Sequence, residues 1–162
     1  MVRRHGAAPQ AGGTGVAAVT GLSAFPVRLL PGDDLKEALD RLVREREIAA
    51  GCIVACAGSL TRASLRLAGA AEATILGGPL EIVSLTGTLS PDGSHLHLAV
   101  ADREGKVSGG HVKEGCRVQT TAEIVVGTLR GARFGRKLDP ATGFRELQIL
   151  TDCREERHDQ GE

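Results

Sequence analysis

Three histidines, His95, His97 and His111, have the residue type and the spacing for metal chemistry. In His95-Leu96-His97-Leu98 they alternate with apolar residues, so a strand here would send both imidazoles out of one face. The following Asp102-Arg103-Glu104-Gly105 has the composition of a type I turn closed by a glycine that can adopt φ > 0, which makes a three-residue hairpin loop. That loop pairs Asp102 with Lys106 and sets His97 directly opposite His111, with His95 one diagonal away on the same face. Three neutral imidazoles converging there form an open metal site, with one position left for water or substrate. A two-residue or four-residue loop would turn His111 to the other face. The competing reading is three half-exposed strand histidines with no ligand, because H-x-H alone is a weak signal.

The elements that must hold these residues follow from periodicity. Residues 1 to about 22 are rich in Gly, Ala and Thr without a repeat and read as a disordered tail. Phe25 to Leu30 reads as a first strand, stopped by Pro31-Gly32. Asp33 or Asp34 then caps a helix whose apolar stripe is Leu35, Leu39, Leu42 and Val43. After Gly51 the pattern changes to strands at about 52–58, 62–68, 72–76, 80–89, 94–101, 106–112, 116–129 and 144–150. Gly77-Gly78-Pro79 and Ser90-Pro91-Asp92-Gly93 read as turns between them. One helix followed by consecutive strands predicts an α+β domain over 23–151, a largely antiparallel sheet with one main helix on one face. Residues 152–162 read as a charged tail.

The register can be carried one hairpin further. A loop at Lys113-Glu114-Gly115 would set Val112 against Cys116 and His111 against Arg117. One face of the meander then carries Leu96, Leu98, Val100, Val112, Cys116, Val118, Ala122, Ile124 and Val126. The other carries His95, His97, His111, Arg117, Gln119, Thr121 and Glu123. A one-residue slip would scramble both faces, so their separation supports the register.

Composition narrows the function classes. The 162 residues suit one domain able to bury a core. Twenty basic residues balance twenty acidic ones, so no global positive field exists to hold a phosphate backbone. Aromatics are 2% of the chain, which removes the stacking platforms that single-stranded nucleic acid requires. The N-terminus lacks a continuous apolar segment, and no stretch reaches membrane-spanning length, so a reducing cytoplasm is the expected compartment. Cys52, Cys56, Cys116 and Cys153 form no C-x-x-C pair. Cys52 and Cys56 read as small buried hydrophobes rather than soft zinc ligands.

Other polar residues carry two readings each. Glu123 is the candidate acid or base beside the histidines, against a strand carboxylate that is exposed or paired with Arg117. Glu81, between Leu80 and Ile82, reads as a structural ion-pair partner. Arg133, Arg136 and Lys137 read as a solvated basic surface rather than an anion site. Cys116, on the core face, is not a fourth ligand. Gly109 and Gly110 suggest a bulge or a close backbone approach.

From Leu29 to about Ile149 the sequence resembles the PPC (plants and prokaryotes conserved) domain. The resemblance rests on Arg28-Leu29-Leu30-Pro31-Gly32-Asp33-Asp34-Leu35, on Ala57-Gly58-Ser59-Leu60 and on Gly78-Pro79-Leu80-Glu81-Ile82-Val83-Ser84-Leu85-Thr86-Gly87-Thr88-Leu89. It continues through His95-Leu96-His97, Gly109-Gly110-His111 and Thr120-Thr121-Ala122-Glu123 to Gly143-Phe144-Arg145-Glu146-Leu147. It implies a compact α+β fold, a homotrimer, and a metal on the histidines matching His95, His97 and His111. Plant members carry an Arg-Gly-Arg-Pro AT-hook that enters the minor groove. Nothing in this chain matches it. A looser likeness is to α-acetolactate decarboxylases, whose related fold holds zinc on three histidines.

These readings lead to a cytoplasmic homotrimer with a divalent metal, zinc first, on His95, His97 and His111, binding or sensing a small oxygenated ligand. The second sheet face would meet its counterparts in a closed three-fold ring, with the metal sites near the subunit boundaries. Two alternatives stay open: a DNA-binding regulator of the same family, and a metal-dependent lyase or hydrolase. Catalytic residues are not assigned.

Overall fold

A computed structural model describes residues 21–151. Most of the expected tail, residues 1–20, and the expected C-terminal tail, with Cys153, lie outside the described residues. Gly21 and Leu22 already belong to the first strand, β1 (Gly21–Leu29). Helix α1 (Leu35–Glu45) follows. Six further strands then build the sheets: β2 (Gly51–Arg66), β3 (Ala73–Leu89), β4 (His95–Ala101), β5 (Val107–Val112), β6 (Arg117–Arg130) and β7 (Ala132–Leu138), before β8 (Arg145–Thr151) ends the described chain. Among the described residues no helix is long and apolar enough to cross a membrane.

All pairings between named strands are antiparallel. The main sheet runs β1-β6-β2-β3-β4-β5, and β5 turns back to pair with the end of β2 through Leu65↔Val112 and Arg66↔His111. Strands β2 to β5 therefore close on themselves. This corrects the second expected hairpin. His111 faces Arg66 rather than Arg117, and Arg117 faces Arg62, because β2 lies between β5 and β6. Sequential strands usually pair, but here the Lys113-Glu114-Gly115 segment crosses over, with Lys113 N–H donating to Ser64 O.

The expected face assignment survives that change, since all nine predicted core residues from Leu96 to Val126 are buried. They join Leu35, Leu39 and Val43 of α1 in one cluster. Two of the expected turns are strand instead. The sequence splits β2 near residue 60, and β3 at Gly77-Gly78-Pro79, yet both strands run through. Leu60 pairs Leu80 and Arg62 pairs Gly77, so Thr61 faces both Gly78 and Pro79 in a bulge. A bulge is where a sheet tolerates proline, and a Cβ at Gly78 would stand 2.5 Å from Leu60 O.

Strand β7 is not expected from the sequence. Ala132-Arg133-Phe134-Gly135-Arg136 offers only a short alternation, and its basic residues read as surface. It pairs with β8 in a separate two-stranded sheet. This hairpin docks through a small second core of Ala50, Ala132 and Phe134, and through Phe134 N–H to Ala49 O at 2.8 Å.

Helix α1 is fastened at its start. Asp34 is almost fully buried; its Oδ1 accepts from Lys36 N and Glu37 N, capping the first turn, while Oδ2 accepts from Gly115 N at 2.6 Å. One carboxylate therefore ties the helix to the β5–β6 crossover. Replacing Asp34 with Ala removes the cap and strands the Gly115 N–H, a loss of about 2–4 kcal/mol. Urea unfolding should show a fall of that size, and a loss below about 1 kcal/mol would contradict this role.

Candidate metal centre

The β4–β5 hairpin brings the histidines together in the predicted register. Asp102 N–H donates to Lys106 O at 3.1 Å, and Asp102 Oδ1 accepts from Glu104 N and Lys106 N. Gly105 takes φ 78°, the conformation the three-residue loop requires. His97 consequently pairs with His111 across the strands. On the other side of β4, Thr86 pairs with His97 and Thr88 with His95. Gly87 sits between those pairs at φ 148°, and a Cβ there would stand 2.0 Å from His95 O. Its lack of a side chain lets β3 and β4 close where the histidines leave the sheet. Gly110 serves the other flank, as a Cβ on it would lie 2.7 Å from Arg66 O. That is the close approach expected beside His111; the β4–β5 register there runs without a bulge.

One ring nitrogen from each of the three imidazoles lies within 4.8 Å of the others. His95 Nε2 and His97 Nε2 are 3.2 Å apart. Zinc–nitrogen bonds of about 2.0–2.1 Å in tetrahedral geometry place two ligand atoms about 3.3 Å apart, so the pair already has the right separation. His111 Nδ1 is buried without a hydrogen-bond partner among the described residues. An orphaned ring nitrogen in a cluster of imidazoles fits a metal ligand set, and the three histidines could hold a metal ion.

Electrostatics favour the neutral rings that a metal needs. Burial first, then His95 and the cations Arg66 and Lys113, push His111 down to about 4. Burial and the Arg136 guanidinium lower His95, which the Glu146 carboxylate partly offsets. At neutral pH both are deprotonated and ready to donate a lone pair.

The surroundings differ from expectation at two charged positions. Glu123 is not beside the histidines. It pairs with Arg28 and Ala57 on β6, facing a second cavity with Cys56, because β2 separates it from β5. The nearby carboxylate is Glu146 of β8, whose Oε1 accepts from Thr142 Oγ1 at 3.0 Å. Arg136 is also at the site rather than on a solvated surface. Its Nη2 donates to Thr88 Oγ1 at 2.9 Å, Nη1 stands 3.5 Å from His95 Nδ1, and its backbone N–H donates to Asp92 Oδ2. A cavity of about 720 Å³ opens over the imidazoles, lined also by Arg66, Lys113, Phe144, Arg145 and Glu146. The sequence signal for the hairpin's part was the alternation of Arg145-Glu146-Leu147, which the missed β7 left without a partner.

The other candidates fall elsewhere. Cys116 is buried on the core face as expected, its thiol accepting from Ser64 N and raised by burial. Cys52 is half-buried on the outer face beside Leu22 and Val54, whereas Cys56 pairs with Ile124 and packs half-buried against the main core, where burial pushes it up to about 11. Glu81 is exposed and makes no ion pair among the described residues, where one was expected. Arg117 lies 3.9 Å from Asp34 rather than near Glu123.

A model of the Plants and Prokaryotes Conserved (PCC) domain matches residues 16–130. Bifunctional protein GlmU of Synechococcus sp. (strain JA-3-3Ab) is 51% identical over 128 residues, 79% of this chain and 21% of that protein. The chain thus spans about a fifth of the length of the curated relatives it matches. A hypothetical protein from Salmonella enterica has a solved structure that superposes with a TM-score of 0.81 at 40% identity, covering 84% of this chain and 99% of its own. A metal-containing protein from Archaeoglobus fulgidus gives 0.71 at 28% identity, covering 83% and 99%.

The depressed His111 leads to a prediction for metal-free protein. A histidine whose folded pKa lies below its unfolded value of 6.5 takes up protons more readily on unfolding, so stability falls as pH drops from about 6.5 toward about 4. In NMR titrations of the metal-free chain the His111 ring should stay neutral at pH 6 and titrate near 4. A midpoint at or above 6.5 would show that burial does not control it.

Proposed function

This chain belongs to the Plants and Prokaryotes Conserved family, and we propose that it is a homotrimeric metal-binding protein in which His95, His97 and His111 hold a divalent ion. Zinc is the first choice, and the site keeps one position open for a small oxygenated ligand. The observation that carries this reading is the convergence of three imidazoles, one ring nitrogen from each within 4.8 Å of the others. The fit of the Nε2 pair to tetrahedral zinc and the orphaned His111 Nδ1 support it. So does the likeness to a metal-containing archaeal protein. A bound zinc ion supplies Lewis acidity toward an oxygen donor. The chain itself supplies neutral imidazoles in a fixed register, a cavity for the ligand, and Arg136 and Glu146 at its rim.

Assembly is argued from the outer face of β1, β6 and β2. Leu22 is 60% exposed and Val54 53%, and their side chains meet over Gly127, where a Cβ would stand 3.0 Å from each. Half-buried Cys52 and Val125 continue this apolar surface. A contiguous apolar sheet face of this kind is covered in a stable protein, and closed rotational symmetry lets identical copies cover it. The three described cysteines are free thiols, in keeping with a reducing cytoplasm.

Purified protein should carry close to one metal per chain, and His97→Ala should abolish it. Elemental analysis that finds no metal, or unchanged metal in the variant, would refute the three-histidine site. Separately, Val54→Asp places a charge in the proposed contact. Light scattering should fall from the mass of three chains to that of one, and a wild-type chain that is already monomeric at micromolar concentration would exclude the trimer.

A further inference from the structure

The charges around the cavity are lopsided. Among the described residues, Arg66, Lys113, Arg136 and Arg145 line it against one carboxylate, Glu146, in a chain whose formal charges cancel. None of the four cations has a carboxylate within 4.0 Å among the described residues. They come from separate elements. Arg66 ends β2 opposite His111, Lys113 follows β5, and Arg136 and Arg145 are brought in by the β7–β8 hairpin. That hairpin lies beyond the residues matched by the family model. Two of the cations are oriented by hydrogen bonds that leave donors unused among the described residues. Arg136 spends Nη2 on Thr88, and Arg145 spends Nη2 on Arg136 O.

Like charges held together without a counter-charge are costly, and a divalent ion on the histidines would add to the excess. His95 sharpens the point. If it ligates through Nε2, its ring proton resides on Nδ1, which then faces the Arg136 Nη1 donor at 3.5 Å. Two donors that face each other require an acceptor between them. Glu146 is one carboxylate against four cations, and it already accepts from Thr142.

We infer that the cavity is an anion site, and that its ligand is a small molecule with at least two oxyanion groups, such as a dicarboxylate. One group lies at the histidine cluster and the other on the Arg66 and Arg136 guanidiniums, whose planar forks suit bidentate carboxylate binding. This rests on the metal reading for the first contact but not for the second. A cavity of about 720 Å³ lined by the histidines has room for a small molecule rather than a duplex.

Malonate is the probe, malonamide its neutral counterpart, and cobalt(II) the reporting metal. Malonate should change the visible spectrum of cobalt-loaded protein, and malonamide should not. Arg66→Gln and Arg136→Gln should each weaken malonate by about tenfold or more, while cobalt affinity holds or rises because a like charge has gone. Arg133→Gln, which removes an exposed charge from the same hairpin, should leave malonate binding unchanged. Equal malonate affinity in the cavity variants, an equal response to malonamide, or a spectrum that responds to duplex DNA and not to malonate would overturn the inference. If the chain takes up no cobalt, calorimetry on metal-free protein decides. Malonate heat that is lost in both arginine variants upholds the anion site and refutes the metal reading, whereas no malonate heat refutes the anion site.

Discussion

The antiparallel register between β4 and β5 is the constraint on which the rest depends. Side chains alternate along a strand with period two, so a slip of one residue would carry His111 to the core face and send Val112 outward. The Asp102 carboxylate and the positive φ of Gly105 fix the turn, and the turn fixes the pairing of His97 with His111. Two further approaches depend on that pairing. β4 comes in against Gly87 of β3 and the end of β2 against Gly110 of β5, and both are positions where a Cβ would collide with backbone oxygen. The same closure that packs Leu96, Leu98, Val100 and Val112 inside gathers three imidazoles outside. Core packing and site geometry are one restraint seen from two faces of a sheet.

Much of this was legible because it was local. The alternation of His95-Leu96-His97-Leu98, the turn at Asp102 to Gly105, the cap at Asp34 and the stripe on α1 depend on residues a few positions apart. What was not legible was long-range. Nothing in Lys113-Glu114-Gly115 reveals that β2 will insert between β5 and β6, although that insertion takes Glu123 away from the histidines. Gly77-Gly78-Pro79 has turn composition, yet sheet closure absorbs it as a bulge. Strand β7 hides behind Gly135 and three basic residues, because its burial comes from a small satellite core rather than the main one. Missing β7 meant missing Arg136 and Glu146, the charged residues that flank His95.

Net charge proved a poor guide to local field. The chain is neutral overall, which argues against a surface built for phosphate backbones. That balance is uneven in space, since cations concentrate around the histidines and the outer face of β1, β6 and β2 carries an apolar patch at Leu22 and Val54. A cationic concave site and an apolar flat face suit different tasks, the first a small ligand and the second another protein surface. Both lie on one scaffold, because β2 borders the histidine hairpin at its end and the apolar face at its start.

The central claim is that the three imidazoles are a metal site. Anomalous diffraction from crystals of protein grown with zinc in the medium, measured on either side of the zinc edge, tests it most directly. The account predicts one peak per chain at about 2.0–2.1 Å from a ring nitrogen of each of His95, His97 and His111, with a non-protein oxygen in the remaining position. A map with no peak there, or with the peak on other residues, would contradict it.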